Sequence, residues 1–317
     1  MILILRRRVA AIAAVGIFAA SSCAPADDEI ADNAADPQIV ATTSIWADIA
    51  SRALCDYPVN SIIPIGSDPH SWEPSMASRS DIERASLIIA NGLDLEHGLT
   101  DLLDLAATTT TRVRYMTDNV DLLPSGNSAE PNEEHSSTLD PHIWLDPQLV
   151  IEKVEDIRSA AIEAGLPSTQ ISSCTTDYVD DLETLDAYIE TLIAPLAQDQ
   201  RSIVTNHDAL AYFAHRYNLT VVGSVIPSTT TLSEPNPADL ADLASTIERL
   251  DIRVIFTDAE SSDAESSALA ERLNIEIVPL LTATLTSGAE YGKDYVTLMA
   301  TMAERMSMGL AANGATP

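Results

Sequence analysis

The sequence predicts an α/β protein of two lobes, each a mainly parallel sheet flanked by helices, joined by one long rigid helix. Three observations predict it. Short β-branched runs alternate with segments of helical spacing over residues 39–164, and the alternation restarts over 202–308. Between them one unbroken helical pattern runs from Thr175 to about Leu196, with Tyr178, Leu182, Leu185, Tyr188, Ile189, Leu192 and Leu196 three or four apart. The length, 317 residues, suits two domains.

In the first lobe, strands are expected at Ile39–Thr43, Ser61–Ile65, Ser86–Ala90 and Arg112–Met116, with helices at Ile45–Leu54, Asp81–Ala85, His97–Leu105 and Pro147–Ala164. The last begins at a proline, which suits the first turn of a helix. In the second lobe, strands are expected at Ser202–Thr205, Thr220–Val225, Arg253–Thr257 and Glu276–Leu280. Helices are expected at Ala209–Tyr217, Pro237–Leu250, Ala264–Leu273 and Tyr291–Met308. The stretch 124–139, rich in Pro, Gly, Asn, Ser and acids, is expected to be a mobile loop.

The chain has 17 basic and 48 acidic residues, a formal net charge of −31. With no basic stripe to displace counterions from phosphates, nucleic-acid binding is excluded. The same balance argues against a body lying flat on an anionic membrane. Apolar residues make up 46% but aromatics only 4%, so the cores must be built from Ala, Leu, Ile and Val.

Residues 1–22 read as a targeting segment. Arg6, Arg7 and Arg8 precede an apolar run from Val9 to Ala20, too short to span a bilayer and right for a secretory signal. Ala20-Ser21-Ser22-Cys23 resembles a bacterial lipobox, in which Cys23 takes a lipid and becomes the mature N-terminus. Residues 23–37 are acidic, small and unpatterned, and read as a flexible tether. The first lobe then spans 38–174, the linker helix 175–199 and the second lobe 200–317. Cys55 and Cys174 remain as an even pair in an exported chain, where disulfides persist; the alternative is two buried thiols.

Four segments carry chemistry. Gly66-Ser67-Asp68-Pro69-His70-Ser71-Trp72-Glu73-Pro74 follows an apolar strand, at the end of a sheet where α/β proteins bind ligands. Asp140-Pro141-His142-Ile143-Trp144-Leu145-Asp146-Pro147 repeats the logic: Asp-Pro-His, an aromatic two residues on, then a helix-starting Pro. Asn206 to Tyr217 places His207 where a strand meets an amphipathic helix. Val254 to Asp258 is an apolar strand that delivers an acid at its end. Imidazole suits zinc and its neighbours, and three of them leave a coordination position open. His70, His142 and His207, each at a strand-to-helix junction and drawn from two lobes, would close a cleft around a metal.

These segments resemble the metal-binding solute-binding proteins of bacterial ABC importers for zinc and manganese. So do Ala90-Asn91-Gly92-Leu93-Asp94-Leu95-Glu96 and Glu234-Pro235-Asn236-Pro237. The order fits from about residue 38 to about 308. The resemblance implies two α/β lobes on a rigid helix with the metal between them, and His70, His142 and His207 as its ligands. Manganese-type relatives often have Glu at the third position, so His207 leans toward Zn(II), with Mn(II) second. A fourth ligand in such proteins is often an Asp just after the last strand. Here the resemblance puts Ala283 at that place, so water or another group must complete the site, with Glu290 and Asp294 as the carboxylate candidates. Asp258 is implied to support a ligand, and Trp72 and Trp144 to pack beside the ligands. His97 and His215 read as structural, and His135 as part of a solvated acidic loop.

The function expected is extracytoplasmic capture of a divalent metal and its delivery to an ABC permease with its ATPase. The protein is expected as a monomer held to the membrane only through its N-terminal lipid, or free in the periplasm. The alternatives are an exported zinc hydrolase, for which no His-Glu-x-x-His pair is present, and a metal-binding surface adhesin.

Overall fold

The computed structural model describes residues 36–109, 111–125, 139–259, 264–288 and 292–313. The predicted signal segment, nearly all of the tether, Cys23, His135, Glu290 and most of the 124–139 loop lie outside them.

Two four-stranded, all-parallel sheets form the frame. The first orders its strands β2-β1-β3-β4, from β1 (Ile39–Ala41), β2 (Val59–Ser61), β3 (Leu87–Ala90) and β4 (Arg112–Tyr115). The second orders them β6-β5-β7-β8, from β5 (Ser202–His207), β6 (Thr220–Ile226), β7 (Val254–Asp258) and β8 (Glu276–Leu280). In both, the first strand of the lobe lies inside the sheet and the chain winds outward to either side. Every strand therefore delivers its carboxyl end to the same edge.

Alternation along the strands divides the core. Ile39, Ala41, Leu87 and Ile89 face a large cluster that continues into Ile203, Val254, Phe256 and Leu280 of the second sheet. Val40, Ile88 and Ala90 face a separate outer cluster with Ile62, Ile63, Leu99 and Leu103. Val204, Val225 and Ile255 do the same on the second lobe's outer side, under Leu243, Ile247 and Leu269. This period of two is what a sheet covered on both faces requires.

The shared cluster is filled by α1 (Ser44–Ala53), α4 (Pro147–Glu163), α5 (Ser168–Ile193) and α9 (Tyr295–Leu310). Each starts at a legible signal except α5. Thr43 caps α1 by accepting from the Trp46 N–H, Asp146 caps α4 ahead of Pro147, and Asp294 caps α9 by accepting from the Thr297 N–H. Asp294, raised above as a ligand, is thus spent on a helix end and on Arg52, 3.8 Å away. The remaining helices are α2 (Met76–Arg84), α3 (Thr100–Ala107), α6 (Ala211–Arg216), α7 (Pro237–Arg249) and α8 (Ala264–Leu273).

Helix α5 differs from its expectation. It starts at Ser168, not Thr175, and ends at Ile193, with a short 3-10 turn at Gln198–Gln200 before β5. Its 26 residues span about 39 Å at ~1.5 Å each. Tyr178, Leu182, Leu185, Ile189 and Ile193 are buried along one stripe. Tyr188 is not part of that stripe: it is 40% exposed and its hydroxyl donates to Glu304 of α9. The first turns were missed because Ser168 to Thr176 is polar, with Ile171 and Thr175 as its buried side chains among those described. Most strand bounds also shift by a residue or two. The second strand is Val59–Ser61, ahead of the predicted 61–65, and β5 runs two residues further than predicted, to His207.

Cys55 and Cys174 are joined by a disulfide across 119 positions of sequence. Cys174 does not precede the long helix; it lies in its second turn and ties it to the end of α1. Chain-entropy arithmetic for so long a loop gives roughly 4–5 kcal/mol. The Cys55→Ser/Cys174→Ser double variant is therefore expected to lose about 2–5 kcal/mol of unfolding free energy. Guanidinium denaturation of the two proteins under non-reducing conditions measures the difference.

Candidate metal centre

The parallel strands bring three histidines to one place. His207 is the last residue of β5, and Asp258 the last of β7. Thr205 pairs with Phe256 across these strands, so residues two further along stand side by side at the sheet edge. There His207 Nδ1 lies 2.6 Å from Asp258 Oδ2. Asn206 Nδ2 donates to the same Oδ2 at 2.8 Å, and the Thr282 hydroxyl donates to Oδ1 at 2.6 Å.

His142 comes from the turn before α4. The Asp140 carboxylate accepts its backbone N–H at 2.9 Å and meets its ring Nδ1 at 2.7 Å. His70 comes from the loop after β2. Asp68 Oδ1 accepts its backbone N–H at 2.9 Å, as Asp140 does for His142. The Asp-Pro-His sequence thus folds the same way twice: the carboxylate two residues back pins the histidine's amide. Asp68 Oδ2 also accepts from the Thr231 hydroxyl of the second lobe, at 2.6 Å.

All three rings are buried, at 4%, 0% and 2% exposure for His70, His142 and His207. Their centroids are 5.4–5.8 Å apart. Each offers one ring nitrogen, and these lie within 4.8 Å of one another. The Nε2 atoms of His70 and His142 are buried without a hydrogen-bond partner. A carboxylate on Nδ1 leaves the lone pair on Nε2, which is how proteins aim imidazole at a metal. Among the described residues this is the one cluster of His, Cys, Asp and Glu with metal-ligand spacing. Tetrahedral zinc, with Zn–N bonds of ~2.0–2.1 Å, needs nitrogens about 3.4 Å apart, a separation that the 4.8 Å bound allows.

Electrostatics favour neutral rings. Burial, aided by the neighbouring imidazoles, pushes His70 and His142 down to about 3. Burial pushes Asp140 up to about 7 against the hydrogen bond from the His142 amide. Burial also acts to raise Asp258, but His207 and the donors on both its oxygens outweigh it and hold it at about 2. Asp258 thus keeps its negative charge directly behind His207.

Of the other predicted residues, Trp144 stands 5.2 Å from His142 by ring centroids, and its indole N–H donates to the Thr282 carbonyl at 2.7 Å. Trp72 is not beside the histidines. It packs on the outer cluster of the first sheet, and its carbonyl sits where a Cβ on Gly98 would be, which is why that position is glycine. Ala283 is buried in the shared core, next to Thr282 and Thr284. His97 is exposed and bonded to Asp94, and His215 is exposed on α6. Sequence reasoning missed the supports Asp68, Asp140, Asn206 and Thr282. The repeated Asp two residues before each of two histidines was the available signal.

Residues 39–309 match the family described as the periplasmic component A of zinc-uptake complexes, ZnuA. The chain belongs to the ZnuA family. It is similar to the manganese-binding lipoprotein MntA of Halalkalibacterium halodurans, 26% identical over 260 residues, covering 81% of this chain and 83% of that one. It is also similar to the zinc-binding lipoprotein AdcA of Streptococcus pneumoniae, 28% identical over 251 residues, covering 76% of this chain and 49% of AdcA. The periplasmic zinc binding protein TroA of Treponema pallidum has the same fold, with a TM-score of 0.76 at 23% identity over 87% of this chain and all of that one. As a ZnuA-family protein the chain is an extracytoplasmic metal-binding component of an importer and not an enzyme, which removes the hydrolase alternative.

Asp258→Asn keeps the shape but loses the carboxylate behind His207. It is expected to weaken metal binding by about 10–100-fold, as loss of such a support typically does; competition against a fluorescent chelator measures this. The depressed imidazoles also set an acid limit. Between about 6.5 and about 3 the unfolded chain holds protons on these two rings that the folded metal-free protein does not, so their contribution to stability is full above pH 6.5 and is lost as pH falls. His70→Gln should therefore flatten the fall of unfolding free energy over pH 6–4 by roughly 1.4 kcal/mol per pH unit, read from denaturant titrations. Proton competition with the metal likewise moves below the ordinary imidazole range near ~6.5, where the unshifted ring would put it.

Proposed function

We propose that this ZnuA-family protein captures Zn(II) outside the membrane through His70, His142 and His207, and hands it to an ABC permease driven by its ATPase. The observation that carries this reading is the convergence of three buried ring nitrogens from two sheets, with a carboxylate behind two of the rings and none among the donors. Three neutral imidazoles give the hard, oxygen-preferring Mn(II) little, whereas Zn(II) gains nitrogen ligands in a geometry it favours and stands higher in the Irving–Williams order. The fourth position next to Ala283 is taken by water or by a group of the delivering or receiving partner. Cys23 carries the lipid that keeps the protein, as a monomer, at the outer face of the membrane.

Metal analysis and a direct Zn(II)/Mn(II) competition on the purified protein test this. Zinc is expected to win, as the Irving–Williams order and three nitrogen donors favour it. His70→Ala, His142→Ala and His207→Ala should each weaken zinc far more than His97→Ala or His215→Ala. Equal losses in all five variants would reject the site, and tight manganese binding by the unaltered protein would reject the zinc preference. Ala283→Asp should raise zinc affinity if that position faces the ion.

A further inference from the structure

Helix α6 follows His207 closely, and little of it is needed to hold a histidine. Its Tyr212 is 2% exposed, and its hydroxyl reaches across to the first lobe. The hydroxyl donates to the Asp140 carbonyl at 3.0 Å and accepts the Leu123 N–H at 3.0 Å. Leu123 is in turn fixed by its carbonyl, which accepts the Asp140 N–H at 2.9 Å. Pro124 and Leu139 form an antiparallel bridge just beyond. One phenol oxygen therefore satisfies two backbone groups at the neck from which the His142 turn emerges. Asp140 is wholly buried, and its carbonyl needs such a partner.

The far end of α6 is anchored too. Arg216 pairs with Asp186 of α5, and the Tyr217 hydroxyl donates to the same carboxylate at 2.8 Å. Leu210, Tyr212 and Phe213 are all buried in the shared core. His142 is thereby bracketed by two bonds to the second lobe. Tyr212 holds the carbonyl two residues before it, and the Thr282 carbonyl holds the indole of Trp144 two residues after.

We propose that the Tyr212 hydroxyl is a positioning group for the metal site, setting the His142 turn of one lobe against the His207 strand end of the other. It touches no ion; it acts through the backbone of Asp140 and Leu123. The proposal rests on the reading of His142 and His207 as ligands.

Tyr212→Phe removes the oxygen and keeps the ring, and Tyr188→Phe, which loses a hydroxyl bond to Glu304 on the surface, is the control. Zinc affinity is read by chelator competition, and donor geometry by the visible absorption of the Co(II)-loaded protein. Tyr212→Phe is expected to raise the zinc Kd about five- to tenfold, the size of one lost hydrogen bond, and to shift or weaken the Co(II) bands. Tyr188→Phe should change neither. A Tyr212→Phe protein that melts lower yet binds zinc as the parent does, with an unaltered Co(II) spectrum, would show a merely structural hydroxyl and overturn the proposal. A parent protein that takes up no zinc or cobalt, or whose His142→Ala and His207→Ala variants bind unchanged, would overturn the ligand assignment beneath it instead. If Tyr212→Phe does not fold, amide exchange of the parent protein decides: zinc should slow exchange at Leu123, and identical rates with and without zinc would overturn the proposal.

Discussion

The contact between His207 Nδ1 and Asp258, 2.6 Å long and buried, is the interaction on which the rest of the centre depends. It fixes which nitrogen carries the proton, and so where the lone pair points. It keeps a negative charge directly behind the ring. It also needs the two strands to be neighbours in register, so the second sheet's topology is written into the chemistry. Thr282 and Asn206 fill the carboxylate's remaining acceptor sites, which is what allows a charge to sit there at all.

From Asp258 the chain of bonds runs outward through both lobes. Thr282 offers its hydroxyl to Asp258 and its carbonyl to Trp144, and Trp144 meets His142 edge-on. Asn91, wholly buried, accepts from the Trp46 indole and donates to the Pro141 carbonyl, so the turn holding His142 is clamped from the first lobe as well. Glu96 holds the main chain of Asn91 and Gly92 through its carboxylate. The motif around Asn91 and Glu96, which the sequence showed without a role, is thus part of the scaffold for one histidine. A buried polar network of this kind specifies a single arrangement only when its members are satisfied.

Much of this was legible in the sequence. The alternation of β-branched runs with helical spacing located both sheets, because burial on two faces leaves a strong apolar signal. The three histidines stood out because two follow an Asp-Pro pair and the third ends an apolar strand. What was not legible had a physical reason. The start of α5 is polar, so periodicity does not see it. Trp72 shares its motif position with Trp144, two residues after a histidine, yet lands on the opposite face of its sheet because the loop after β2 turns differently from the 3-10 turn Ile143–Leu145. Tyr212 reads as an ordinary core aromatic, since nothing in its neighbours announces a bond to residues 123 and 140.

The placement of the three histidines in segments far apart in sequence has a consequence for the order of events in the protein's life. His70, His142 and His207 belong to three different segments, and His207 acquires its carboxylate only when β7 has joined β5. No stretch of the extended chain holds a pair of them close together. A newly translocated, unfolded chain therefore cannot chelate with avidity, and competes for metal only with isolated imidazoles. The cluster of three rings backed by Asp258 therefore exists only in the folded protein, once the second sheet has paired.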